Sequence, residues 1–322
     1  MYEEHYGLIE PPFSLTPDPK YFYRSEAHTR AFELLQYGIE RREGFIIVYG
    51  DIGTGKTTLC RTVLAGIDKD VSTALLLNPF LSEIDLIKAI LEDFNVKLPR
   101  KKAGEDGPLS KQKLINALND FLLKTLEAGG RAVVIIDEAQ NIPMATLEQI
   151  RILSNLETHK EKRLQIVLVG QLNLIDVLSQ PELRQLFQRV SIKCELSALS
   201  EAESGDYLRH RLSVAGGSPS KVAFAESAAK QIYAYSGGVP RLINLIADRT
   251  LLAGLAVGAS TIDASVALQA IENLQLEKPP RKTTPTSLGG KVRGLKQAAI
   301  IVGLSILLAT IFVVLMNALG GN

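Results

Sequence analysis

The sequence predicts an α/β fold: a parallel, doubly wound sheet of about five strands, then an all-helical region, then one apolar C-terminal helix. Three observations predict it. Residues 50–57 read GDIGTGKT, directly after the apolar run 45–49 and directly before the helix-like segment 58–65. Residues 132–136 (AVVII) are a β-branched run ending in Asp137 and Glu138, as expected for a strand buried on both faces. Residues 298–319 run for 22 positions without a charge.

The elements follow in order. In residues 1–44 the segment PPFSLTPDPKYFY is rich in turn residues, so an irregular arm is expected before an amphipathic helix over 27–40. The core domain spans 45–199. After the strand at 45–49, a second strand is expected at 71–77, a helix at 82–93 with Ser82 as its cap, and a longer helix at 110–128. A strand at 164–170 (LQIVLVG), a helix at 172–187 broken at Pro181, and a last strand at 190–196 complete it. Strands alternating with helices imply a parallel sheet covered on both faces. From 200 to 276 the pattern is helical only: 201–215, 223–236, 241–255 and 263–274, separated by Gly216-Gly217, Gly237-Gly238 and the 261–263 stretch. Residues 277–296 are rich in Pro, Gly, Thr and basic side chains without periodicity, as in a flexible linker.

The apolar helix, placed at 297–319, is ~33 Å long over its 22 uncharged residues, enough for a hydrocarbon core of ~30 Å. Lys291, Arg293 and Lys296 precede it, while Gly320, Gly321 and Asn322 follow. The positive-inside rule then places the large domain in the cytoplasm and the C-terminus across the membrane. Composition agrees with a folded protein: 46% of residues are hydrophobic and 22% charged, ample for a sizeable core. A net charge of +1 does not point to a dedicated nucleic-acid binder. Cys60 and Cys194 are expected to be buried, reduced thiols. The four histidines, His5, His28, His159 and His210, lack metal-ligand spacing and are expected to be structural or solvated.

The chemistry sits at the first two motifs. A strand, a glycine-rich turn and a helix start make a nucleoside triphosphate site: glycines let backbone N–H groups curl around phosphate oxygens, and the helix N-terminus adds its positive end. The candidate ATP-binding residues are Gly50, Asp51, Ile52, Gly53, Thr54, Gly55, Lys56, Thr57 and Thr58. Lys56 would reach the β- and γ-phosphates, and Thr57 would hold Mg²⁺. Asp137 suits a second Mg²⁺ ligand, usually through water, and Glu138 a base that orients the attacking water. The bland alternative for that pair is a helix cap with an acidic first turn.

The segments YGLIEPPFSLTPDPKYFY, GFIIVYGDIGTGKTTL, IIDEAQN, VLVGQ, LRQLFQRV and SGGVPRLIN resemble the AAA+ ATPases related to general secretion pathway protein A. Pilus-biogenesis ATPases and the more distant ATPases of Tn7-like transposition are also similar. The PFSLTPDP phrase is the most specific part of the resemblance. It implies an AAA+ P-loop NTPase with a parallel five-stranded sheet, a C-terminal all-α lid and one C-terminal transmembrane helix.

Gly50, Gly53, Gly55, Lys56 and Thr57 match the family's Walker A motif, and Asp137 and Glu138 its Walker B motif. Gln171 falls at the polar sensor of the γ-phosphate; because the family wording Gly-Gln-Pro-Glu reads GQLNL here, Asn173 is the alternative. Arg241 matches the sensor arginine presented by the lid. Arg184 and Arg189 lie where the family carries an arginine that enters a neighbouring subunit's site, with Arg189 the preferred candidate. The cofactors implied are ATP and Mg²⁺. The expected protein is a homo-oligomer at the bacterial inner membrane that drives or regulates assembly of a secretion, pilus or export apparatus through an envelope partner. The periplasmic peptidoglycan-binding region of the family's secretin-assembly member is expected from that partner. The alternatives are a DNA-associated regulator using the basic segment KLPRKK at 97–102, and a slow ATP-dependent switch.

Overall fold

The computed structural model describes residues 1–98, 110–156, 163–218 and 221–275. The basic segment beyond Leu98, the linker at 277–296, the apolar helix at 297–319 and His159 lie outside them. Among the described residues no helix is long and apolar enough to cross a membrane.

Five strands form one parallel sheet: β1 (Phe45–Gly50), β2 (Val71–Leu76), β3 (Arg131–Ile136), β4 (Gln165–Gly170) and β5 (Val190–Leu196), in the spatial order β2-β3-β4-β1-β5. Helices α1 (Tyr2–Tyr6), α2 (Glu26–Glu40), α3 (Lys56–Ala65), α4 (Glu83–Asp93), α5 (Lys111–Glu127), α6 (Met144–Leu153), α7 (Asn173–Leu178) and α8 (Arg184–Phe187) surround the strands or precede them. Side chains alternate along each strand, so one sheet feeds two cores. Ile47, Val134, Ile136, Ile166 and Leu168 join α4 to α8 on one face. Ile46, Val48, Val133, Ile135, Val167 and Val169 pack with α2 and α3 on the other. A strand apolar at every position is what two buried faces require. The expected Ser82 cap is present, its Oγ accepting from Asp85 N, and Ser110 Oγ caps α5 by accepting from Lys113 N. Cys60 and Cys194 are free and buried, and burial pushes the Cys194 thiol up to about 11.

The helical region contains α9 (Glu201–Val214), α10 (Glu226–Ser236), α11 (Pro240–Ala256) and α12 (Ala264–Asn273). Two details differ from the sequence reading. The expected helix at 223–236 starts only at Glu226, because Ala223–Phe224 (β6) pairs in parallel with Thr261–Ile262 (β7). Two-residue strands carry no periodicity to read; Ala225 N donates to Ile262 O at 2.8 Å and Ile262 is fully buried. The break expected at Pro181 in the 172–187 helix is present, Pro181 opening a separate 3₁₀ turn, Pro181–Leu183, between α7 and α8. The N-terminal arm, expected to be irregular, opens with the short helix α1, and its Tyr2, Tyr6, Leu8, Phe13 and Tyr21 belong to the same core as α9 to α12.

Gly238 is where the helical region meets the sheet domain. Its φ of +78° favours glycine, Leu199 N donates to its carbonyl at 2.9 Å, and a Cβ there would stand 1.9 Å from Leu199 O. Left-handed strain and a backbone clash add, so Gly238→Ala should cost at least about 2 kcal/mol. Thermal unfolding of the variant checks this; an unchanged midpoint would contradict it.

Candidate nucleotide site at the C-terminal edge of the sheet

The site is built from the ends of three adjacent central strands. β1 runs into the 50–57 loop, β3 into Asp137 and Glu138, and β4, which lies between them, into Gln171. In an open parallel sheet this edge, where the strand order reverses, is where a crevice forms. Gly53 and Gly55 have φ of +79° and +98°, so the loop follows a path that L side chains rarely adopt. Gly50 is required for another reason: a Cβ there would lie 2.3 Å from Leu196 O.

Lys56, the first residue of α3, is buried, with Nζ donating to Gly50 O at 2.9 Å and Asp51 O at 2.8 Å. Burial lowers its pKa, while the carboxylates of Glu138, Asp137 and Asp51 act in the opposite direction. Thr57 Oγ1 donates to Asp137 Oδ2 at 2.5 Å. Asp137 is buried, and its Oδ1 accepts from Glu138 N at 2.9 Å. Glu138 occupies the cap position of the 3₁₀ turn Ala139–Asn141 at φ +52°, but its side chain makes no capping bond. That conformation costs about 1 kcal/mol. Burial of Val133 to Ile136 in the preceding strand, at about 1.5–3 kcal/mol per side chain, exceeds it.

Glu138 Oε2 accepts from Gln140 Nε2 at 2.6 Å and from Gln171 Nε2 at 3.3 Å, while Gln140 Oε1 accepts from Gln171 N at 3.0 Å. Gln171 is thus in contact with Glu138, whereas Asn173 is an exposed residue at the start of α7. Gln140 was not singled out in the sequence; its signal is only its place two residues after Glu138.

The remaining residues divide by position. Thr54 is buried, its Oγ1 donating to Asp51 O at 2.9 Å; Ile52 is exposed on the loop; Thr58 is half-buried, its carbonyl accepting from Thr62. Arg241 joins the helical region to the loop: its N donates to Gly53 O at 3.2 Å and its side chain lines the cleft. Arg184 and Arg189 are outside the cleft. Arg184 is exposed at the start of α8, and half-buried Arg189 donates from Nη1 to Ser154 Oγ at 2.9 Å.

The far wall of the cleft comes from the arm, including Leu15, Pro17 and Tyr23, together with Tyr207, Arg211 and Asn244 of the helical region. Buried Arg211 holds the arm, donating from Nε to Pro12 O at 2.5 Å and from Nη2 to Ser14 O at 3.2 Å, and stacks 4.2 Å from the Tyr21 ring centroid. Among the described residues no group of three His, Cys, Asp or Glu side chains is arranged to hold a metal on its own. The site residues nonetheless fit a Mg²⁺-nucleotide. The glycine-shaped loop is a cradle that a Cβ would disturb, one at Gly53 lying 2.7 Å from Arg241 Cβ, and Thr57, Asp137 and Lys56 supply the oxygen and cation set.

Residues 39–178 match the family model of the AAA domain. The chain is 43% identical over 280 residues to General secretion pathway protein A of Aeromonas hydrophila, a match covering 86% of this chain and 50% of that protein. The matched segment is an AAA domain. The chain spans about half the length of the curated relative it matches. Its fold is similar to that of Cdc6p from Pyrobaculum aerophilum, with a TM-score of 0.62 at 18% identity over 83% of this chain and 71% of that one. The ADP form of ORC2 from Aeropyrum pernix gives 0.58 at 17% identity, covering 77% and 68%. The RuvB Holliday junction branch migration motor of Thermotoga maritima gives 0.53 at 19%, covering 79% and 70%.

Proposed function

We propose that this AAA+ protein binds and hydrolyses ATP at the inner membrane of a bacterium, and that its nucleotide cycle drives or regulates assembly of a secretion, pilus or export apparatus. The observation that carries the reading is the contact chain Thr57–Asp137–Glu138–Gln171 across three adjacent strand ends. Similarity to General secretion pathway protein A supports the secretion-linked role. The uncharged run 298–319 supports a single-pass anchor with the ATPase domain cytoplasmic and the C-terminus periplasmic.

In this reading Lys56 binds the β- and γ-phosphates, and Thr57 and Asp137 hold Mg²⁺. Bound Mg²⁺ supplies neutralisation of phosphate charge. Glu138 orients water and accepts its proton, its carboxylate being aimed by Gln140 and Gln171. The helical region acts as a lid that brings Arg241 to the nucleotide. In a homo-oligomer an arginine from one subunit completes the next subunit's site, and such a residue contributes ~10³–10⁵ in turnover.

The test is ATP turnover by the full-length protein against its own concentration, with Arg184→Ala and Arg189→Ala alongside. Specific activity should rise with concentration, and one of the two variants should lose most turnover, on the order of 10³-fold, with ATP affinity near normal. Turnover flat in concentration and wild-type in both variants would leave a monomeric switch. Membrane fractionation of the full chain against one lacking 297–319 tests the anchor; equal partition into membranes would exclude it.

A further inference from the structure

We infer that His28 is a positioning residue for the phosphate-binding loop, holding the Thr54–Gly55 peptide in the orientation that nucleotide phosphates require; this rests on the reading of residues 50–57 as the phosphate site. His28 lies in the first turn of α2, is buried, and lines the same cleft as Lys56 and Thr57. Its Nε2 is 2.9 Å from Thr54 O and its Nδ1 is 2.6 Å from Ser25 Oγ.

The direction of both bonds follows from the groups involved. A carbonyl oxygen only accepts, so Nε2 carries the hydrogen. Burial lowers the pKa of His28, favouring the neutral ring. Nδ1 of that neutral tautomer is a lone pair, and it accepts from the Ser25 hydroxyl. The same Ser25 Oγ accepts from His28 N at 3.3 Å as the cap of α2. The ring is therefore held at one edge by a helix cap and presents its N–H to the loop. The Phe22 ring packs against it at a centroid distance of 5.8 Å and 69°.

The consequence lies in the peptide that His28 grips. In a trans peptide the carbonyl and the following N–H point in opposite directions, and the chain has no cis bonds among the described residues. Holding Thr54 O toward His28 therefore directs Gly55 N–H away from it. Gly55 has φ +98°, so steric hindrance alone does little to stop that peptide from rotating. A loop that binds anions through backbone N–H groups needs the rotation prevented, and the His28 N–H is the side-chain contact on that carbonyl. The start of α2 is in turn tied to α9, because Glu26 N donates to Glu203 Oε1 at 3.1 Å. His28 thus stands where the phosphate loop, α2 and the helical region meet.

The experiment compares ADP affinity, measured by titration calorimetry with the full-length protein, in His28→Gln, His28→Asn and Lys56→Ala, with a melting curve for each. Glutamine places an amide N–H at about the reach of Nε2, whereas asparagine reaches only as far as Nδ1. His28→Gln should bind ADP within about twofold of wild type and His28→Asn about tenfold more weakly, as for one lost hydrogen bond. The melting midpoint of His28→Asn should lie only about 2–4 °C below that of His28→Gln, as one lost hydrogen bond gives, so that both variants are folded where binding is read. Equal ADP affinities in the two variants would overturn the inference while Lys56→Ala still loses binding. Undiminished ADP binding by Lys56→Ala would overturn the phosphate-site reading, and the inference with it.

Discussion

Lys56→Ala is expected to lower ATP turnover by about 10²–10³-fold, the usual effect of removing one preorganised cationic or hydrogen-bonding group from developing charge, and to weaken nucleotide binding as well. The size follows from its surroundings. Lys56 is buried, its ammonium is held by two carbonyls of its own loop, and the carboxylates of Asp51, Asp137 and Glu138 are its charged neighbours. Removing it takes away a phosphate contact and also leaves those carboxylates uncompensated, which repels an anionic ligand. Arginine should not rescue it, since a planar guanidinium replaces a compact charge in a space shaped for the latter. Phosphate release and fluorescent-nucleotide binding measure the two effects separately; turnover within tenfold of wild type would refute the assignment.

Glu138→Gln should separate binding from chemistry. The replacement keeps the side chain's shape, and its amide oxygen still accepts from Gln140 and Gln171. The bond between Glu138 N and Asp137 Oδ1 involves only the backbone of residue 138 and persists. What disappears is the anionic oxygen that takes a proton. A general base contributes about 10²–10⁴ in rate, so turnover should fall by that factor with ATP affinity changed no more than about threefold, on the order of 0.7 kcal/mol. Single-turnover hydrolysis read beside equilibrium binding decides it. A variant that hydrolyses ATP normally would mean Glu138 only shapes the turn, despite its left-handed backbone at φ +52°. Gln140→Ala, which frees one side of the carboxylate, should lower turnover in the same direction but by less.

The parts of this protein legible in its sequence are those set by neighbours along the chain. The GDIGTGKT loop, the strand-then-carboxylate pattern at 132–138, and the Ser82 cap depend on residues within about a turn or a strand of each other. The break of the 172–187 segment is local in the same way, falling where Pro181 cannot continue a helix, whereas β6 and β7 are missed because they are too short to have a period.

By itself, then, the sequence determined the α/β class, the phosphate loop with Lys56 and Thr57, the acidic pair Asp137 and Glu138, and the apolar run at 298–319. Only the tertiary structure decided that β4 lies between β3 and β1, which brings Gln171 onto Glu138 across 33 positions. It also decided that the arm packs into the helical core, where Arg211 grips Pro12 O across 199 positions, and that His28 reaches Thr54. The physical reason is that strand order and distant docking are chosen by which apolar faces bury each other and which buried polar groups find partners. Those are properties of the assembled fold, and no short window of sequence contains them.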